Sequence, residues 1–197
     1  MSSLAVKSIR GFLQLVVFMG VALFAPAWTI HYWQAWIYLT VFAGASAFIP
    51  AYLWEHDPKL LERRVNAGPA AEKEKSQKLI QTLASVAFLG LMILPSIDHR
   101  FAWSHVPLML TIVGDILVLL GFLVVFLVFK ENTFTSATIQ VDPAQRVVST
   151  GPYAIVRHPM YTGALVILFG TPIALGSWWG MLIVIPMVFV LVFRISR

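Results

Sequence analysis

Apolar positions run almost without interruption along most of this chain, and the length of those runs, more than any amphipathic period, predicts the elements. Six runs approach the ~20 residues needed to cross a hydrocarbon core about 30 Å thick. They are Gly11 to Ala27, Trp33 to Trp54, Lys78 to Pro95, His105 to Phe129, Pro159 to Leu175 and Trp178 to Phe193. The pattern predicts an all-α fold: a polytopic membrane helix bundle of five to six transmembrane helices. Thr171, Pro172 and Gly176 break the sequence between the last two short runs, which are expected to form a helical hairpin that either spans fully or dips partway. Ser177 is a suitable N-cap for its second arm. The polar stretch Glu55 to Lys78, with alternating charge through Glu72-Lys73-Glu74-Lys75, reads as a solvated loop with a helical turn or two.

Composition supports the membrane reading. Hydrophobic residues make up 59% and charged residues 12% of the 197 residues, against ~45–50% and ~25% in soluble domains. Mean hydropathy is +0.82. A disordered chain is excluded, and so small a soluble core could not hide this much apolar surface. The length predicts one domain covering residues 1–197. With no cysteine there is no disulfide framework, thiolate metal site or cysteine nucleophile.

The net charge is +5, and its distribution reads as topology rather than as a nucleic-acid surface. Every lysine and arginine except Arg100 falls on one side of the six runs: Lys7 and Arg10 before the first, six residues from Lys59 to Lys78 around the second loop, Lys130, Arg146 and Arg157 in the fourth loop, and Arg194 and Arg197 at the end. The positive-inside rule then puts both termini and the two longer loops in the cytoplasm. Trp28, Tyr32, Trp33, Trp36, Trp103, Trp178 and Trp179 cluster at the opposite ends, as an interfacial aromatic belt would. Lys7 and Arg10 followed by an apolar stretch and Ala25-Pro26-Ala27 resemble a signal peptide, but the proline fits a cleavage site poorly and a second span follows at once.

Glycine-rich nucleotide loops, His-Glu-x-x-His and Gly-x-Ser-x-Gly are absent from the sequence. The informative stretch runs from Gln145 to Gly163. Gly151-Pro152 is turn chemistry, and Pro159 suits a first helical position, where its missing N–H costs nothing. Arg157 and His158 would then sit beside free backbone N–H groups at the positive end of a helix dipole, able to receive a carboxylate or hydroxyl. A basic, proline-capped helix start at a membrane interface is the plainer reading of the same residues.

Arg157-His158-Pro159-Met160-Tyr161, preceded by Gly151-Pro152-Tyr153 and followed by Gly163, resembles the signature of the isoprenylcysteine carboxyl methyltransferase family of integral membrane enzymes. Related membrane phospholipid and thiol methyltransferases carry a similar signature. The stretches from Glu131 to Ser136 and from Gly170 to Pro172 look familial too, so the signature region covers residues 130–179. Asp57-Pro58-Lys59-Leu60-Leu61-Glu62-Arg63 is a weaker echo of bacterial members, consistent with a bacterial-type inner membrane.

The resemblance implies S-adenosylmethionine as cofactor, with Gln145, Arg146, Val147 and Val148 lining it largely through backbone. Tyr153, His158, Pro159, Met160 and Tyr161 would complete the pocket. It implies a lipophilic or lipid-linked acceptor, foremost the carboxylate of an isoprenylcysteine-like molecule, with a phospholipid head group or a thiol as alternatives, and contact with membrane lipids. Arg194 is the nearest match to the arginine that faces the substrate carboxylate. Family members continue with a glutamate-rich cytoplasmic segment holding a Gly-Tyr-x-x-Tyr pattern, expected to begin where this sequence ends at Arg197.

Asp115 lies mid-span, where a charge costs at least ~2.5–3.5 kcal/mol. It reads as an acid facing another helix, or as part of a tunnel or proton relay. Together with the broken final pair of runs it is the evidence for a small transporter, and a structural subunit without catalysis is the third class. Cofactor binding separates an enzyme from both. His31, His99, His105 and His56 are too scattered for metal-ligand spacing. Gly114 and Gly121 share one helix face and would permit close packing.

Overall fold

The long apolar runs form helices, and proline, glycine and aspartate set where those helices start and stop. A computed structural model describes residues 3–65, 75–133 and 148–195. Among them the order is α1 (Ser3–Ala27), α2 (Trp33–His56), α3 (Pro58–Val65), α4 (Lys75–Phe101), α5 (Leu108–Glu131), α6 (Pro159–Ala174) and α7 (Met181–Ile195), with no strand. α1, α2, α4 and α5 each hold an apolar segment of 24 or 25 residues, enough to cross a bilayer, while α6 and α7 are shorter apolar helices. The expected all-helical bundle forms, and the chain is an integral membrane protein.

Several boundaries move from the expected ones. α1 takes Lys7 and Arg10 into its first turns, and α4 continues past Pro95 to Phe101. α5 begins only at Leu108, because Pro107 holds an extended conformation ahead of it (φ −58°, ψ 144°). The stretch expected to be a solvated loop with a helical turn or two contains α3, about two turns long as expected, but docked rather than solvated. Asp57 caps it, with Oδ1 accepting the Leu60 N–H at 3.0 Å, and Pro58 occupies its first position. Leu60 and Leu61 are buried in a cluster with Ile49, Leu53 and Phe129, so α3 is docked against α2 and α5.

Outward faces are as apolar as the interior: Val17, Leu120 and Phe189 are all exposed. Lipid is as apolar as leucine, so close packing and buried polar bonds must hold the helices together. The tightest contact is between α5 and α6, which run antiparallel. Gly114 and Gly121 of α5, two turns apart, oppose Gly170 and Gly163 of α6, which have the same spacing. A Cβ at Gly170 would lie 2.8 Å from the Gly114 carbonyl oxygen, and one at Gly163 would lie 2.9 Å from that of Gly121. A Cβ at Gly114 would lie 2.7 Å from Ala174 Cα. The glycine face is thus spent on an intramolecular contact.

At the tryptophan end a polar knot closes the bundle. Asp98, fully buried, accepts the Ser104 N–H on Oδ1 at 2.7 Å. Its Oδ2 accepts the hydroxyls of Ser104, at 2.6 Å, and of Ser177. Ser177 also accepts the Gly180 N–H at 2.9 Å, so it caps the turn leading into α7 as expected, although the helix proper begins at Met181. Between α6 and α7, Gly176 (φ +71°) donates to Ile173 and Ser177 to Pro172, a glycine-closed helix terminus. From there α6 runs along α5, and α7 packs against α4.

Tyr32 corrects the aromatic-belt expectation. It is fully buried, and its hydroxyl donates to the Leu175 carbonyl at 2.6 Å while its ring stacks on His99 at 3.9 Å. Burial pushes its hydroxyl pKa up, so it remains a donor. Hydrogen bonds to a charged group are worth ~1.5–3 kcal/mol each. Asp98→Ala is expected to lower the thermal midpoint in detergent by far more than Ser104→Ala, which removes one donor and leaves the Ser177 bond in place. Equal midpoints for Asp98→Ala and the parent would remove the knot from this account.

Candidate functional site

The glycine contact brings the last turn of α5 beside the segment that enters α6. Glu131 ends α5 and accepts a hydrogen bond from the Thr150 hydroxyl. Gly151 follows with φ +57°, and a Cβ there would lie 3.0 Å from Glu131 Oε2, so glycine serves both the turn and the approach. Asn132, the C-cap of α5, donates from Nδ2 to the Tyr153 hydroxyl at 3.0 Å. Tyr153 sits in a 3-10 turn over Gly151–Ala154. This turn is closed further by the Val156 N–H on the Pro152 carbonyl at 3.1 Å.

His158 then adopts a non-helical N-cap conformation (φ −130°, ψ 65°), and Pro159 opens α6. The N–H groups of Tyr161 and Thr162 both reach the His158 carbonyl, at 3.1 and 3.2 Å. The backbone N–H groups of Arg157, His158 and Met160 have no partner among the described residues. Arg157 and His158 are exposed, and Tyr161 is half-buried, its ring centroid 6.2 Å from that of His158 in a T-shaped arrangement. This proline-started helix presents free donors flanked by a cation, an imidazole and two tyrosines, a combination suited to an anionic or hydroxyl-bearing ligand.

Of the residues singled out from sequence, the structure brings Tyr153, His158, Pro159, Met160 and Tyr161 to this one end of α5 and α6. Pro159 is buried, and Met160 packs on the cluster around Leu60 and Phe129, so its contact with the protein core is plain. Val148 is half-buried at the start of the segment. Gln145, Arg146 and Val147 lie outside the described residues, as does the side chain of Arg194, whose backbone is in the last turn of α7.

Glu131 and Thr150 received no role from the sequence. A carboxylate on the last residue of a helix opposes the macrodipole, and that local conflict was the available signal that tertiary contacts hold it there.

α3 joins the same end. Arg63 donates from Nη1 to the Thr133 carbonyl at 3.2 Å, and the Arg64 guanidinium lies 4.8 Å from the Phe129 ring centroid. Towards the bilayer, an apolar cleft of about 240 Å³ between α2 and α5 is lined by residues including Ala45, Phe48, Phe122, Leu123 and Phe126. Phe126 is five residues before Glu131, roughly 7.5 Å along the helix.

Asp115 is not part of this site, being about 24 Å up α5. It is buried with Oδ1 unpartnered among the described residues, on the flank of α5 that faces the Tyr38–Thr171 hydrogen bond of 3.2 Å.

Residues 109–197 match the family model described as phospholipid methyltransferase. Neither the curated proteins nor the solved structures contain a match to the chain. The match begins within α5 and includes α6, α7 and the site residues from Glu131 to Tyr161, but not the α3 arginines or the α2 side of the cleft.

Because Asn132 and Tyr153 act as a pair, Asn132→Ala and Tyr153→Phe are each expected to raise amide hydrogen exchange over Tyr153 to Val156 by about fivefold, the equivalent of ~1 kcal/mol. The double variant should be no faster than either single one. Additive effects would show that the two side chains act separately.

Proposed function

We propose, from the match of residues 109–197 to the phospholipid methyltransferase family model, that this protein transfers a methyl group from S-adenosylmethionine to a lipophilic acceptor. Our preferred acceptor is a carboxylate of the isoprenylcysteine type. The observation that carries the reading is the double tie, Glu131 to Thr150 and Asn132 to Tyr153, which joins two separate stretches of the signature around the open start of α6.

The residues fit the cofactor. The unpaired N–H groups of Arg157, His158 and Met160, at the positive end of α6, suit its carboxylate. Glu131 and the tyrosine hydroxyls suit its ammonium and ribose hydroxyls, and the family resemblance assigns Gln145, Arg146, Val147 and Val148 to the same cofactor. When bound, S-adenosylmethionine supplies a methyl group on a sulfonium, an electrophile with its leaving group already in place. The protein's own contribution is therefore alignment and exclusion of water, and near-attack alignment is worth up to ~7–11 kcal/mol. Tyr153 and Tyr161 narrow the mouth, while the α2–α5 cleft admits the acceptor sideways from the bilayer.

A carboxylate acceptor is ionised at neutral pH and requires no base, only orientation, for which Arg194 at the end of α7 is the candidate. The description of the matching family supports a second reading, in which the acceptor is a phospholipid amine. That amine must lose a proton, and the exposed His158 imidazole is the candidate base. Both readings assume the basic end of the bundle in the cytoplasm, with both termini, following the positive-inside rule. A bacterial inner membrane is the setting we favour.

Calorimetry on the full chain in detergent tests the pocket: His158→Ala and Tyr161→Phe should each weaken S-adenosylmethionine binding by about tenfold, a change of ~1.4 kcal/mol. Unchanged affinity in both removes the pocket assignment. Labelled methyl incorporation into a prenylated cysteine then separates the acceptors. A base-labile ester supports the carboxylate, whereas product only in phosphatidylethanolamine, abolished by His158→Ala, supports the amine.

A further inference from the structure

At their basic ends α1, α2 and α3 line a lateral groove of about 470 Å³, within the ~300–1,000 Å³ of pockets that enclose ligands. Its lining is ordered by polarity. Lys7 and Arg64 stand at its outer end, and Phe12, Leu15, Ile49, Pro50 and Leu53 line its depth. An adjoining apolar recess of about 260 Å³ shares Ser8, Phe12, Pro50 and Leu61 with it. Neither lining includes an acidic residue, and both come from α1, α2 and α3 alone. They draw nothing from the α5–α6 region that carries the family match.

Two further observations indicate an occupant with a chain and an anionic head. A Cβ at Gly11, on the groove wall, would meet nothing within 4 Å, so the wall is set back where a flexible chain could lie. The Arg64 guanidinium is held over the Phe129 ring, which fixes one of the two cations in position. Two cations at headgroup depth above an apolar slot complement a phosphate with an acyl chain beneath it.

We propose that the groove between α1, α2 and α3 binds an anionic phospholipid as a structural lipid, its phosphate on Lys7 and Arg64 and one acyl chain in the slot. The groove is separate from the start of α6, since its lining comes from α1, α2 and α3. A seated lipid braces α3, whose Arg63 holds Thr133 just beyond α5.

Native mass spectrometry of the full chain, titrated with phosphatidylglycerol or with phosphatidylcholine of the same acyl chains, tests this. Each cation contributes about fivefold in affinity, so phosphatidylglycerol should bind on the order of 25-fold more tightly. Lys7→Ala and Arg64→Ala should each lose about fivefold of that preference, whereas Arg10→Ala, outside the lining, should retain it. Gly11→Leu, which fills open space and favours helix, should weaken both lipids while the thermal midpoint of the lipid-free chain holds. Equal binding of the two lipids, indifference to Gly11→Leu, displacement by inorganic phosphate alone, or a lipid-free dimer covering the groove would each overturn the proposal.

Discussion

A pair of membrane helices gains little by hiding leucine from hydrocarbon, so α5 and α6 depend on how closely their backbones approach. Glycines at matching two-turn spacings, Gly114 and Gly121 against Gly170 and Gly163, allow carbonyl oxygens to sit where a Cβ would collide. The contact runs along most of α6. Its consequence appears at one end, where Glu131 and Asn132 can reach Thr150 and Tyr153 only because the helices beneath them nearly touch. The other end is fixed independently by Asp98, which gathers Ser104 and Ser177 from two loops. Between a glycine seam and a buried carboxylate, the C-terminal half of the bundle has few ways to rearrange.

That rigidity suits chemistry needing little from side chains beyond placement. A methyl donor that arrives activated requires a dry, aligned site rather than a set of acids and bases. The start of α6 provides aligned donors at the boundary between water and lipid without burying a charge in the bilayer core. In the proposed function, the start of α6 serves the water-borne cofactor and the apolar cleft between α2 and α5 the lipid-borne acceptor.

Much of this was legible from the sequence, for physical reasons that can be named. Span-length apolar runs can only be helices in lipid, because every backbone polar group must be satisfied internally. Pro159 announced a helix start and Gly151 a turn, since each residue type restricts or frees φ in a way few others do. The helical turns of α3 were legible but their docking was not, because eight residues with Leu60 and Leu61 buried are too short a pattern to stand out from charged loop. Asp98 drew no attention beside Asp115, since it lies near a helix end where charge looks cheap. Its burial comes from serines that are six and 79 residues away. Tyr32 read as an interfacial tyrosine because its neighbours are belt tryptophans, yet its partners lie in α4 and beyond α6. Long-range polar contacts of this kind leave no local periodicity.

The glycine seam sets the geometry of the site. Because the chain has no cysteine, spin labels can be placed uniquely at Lys130→Cys and Ile155→Cys, two exposed positions flanking the tie, and their separation measured by pulsed electron resonance. A single narrow distance distribution is predicted in the parent background, becoming longer and broader when Gly121→Leu is added. An unchanged narrow distribution in the Gly121→Leu background would show that the two signature stretches are held together by something other than the approach of α5 and α6, and would contradict the account.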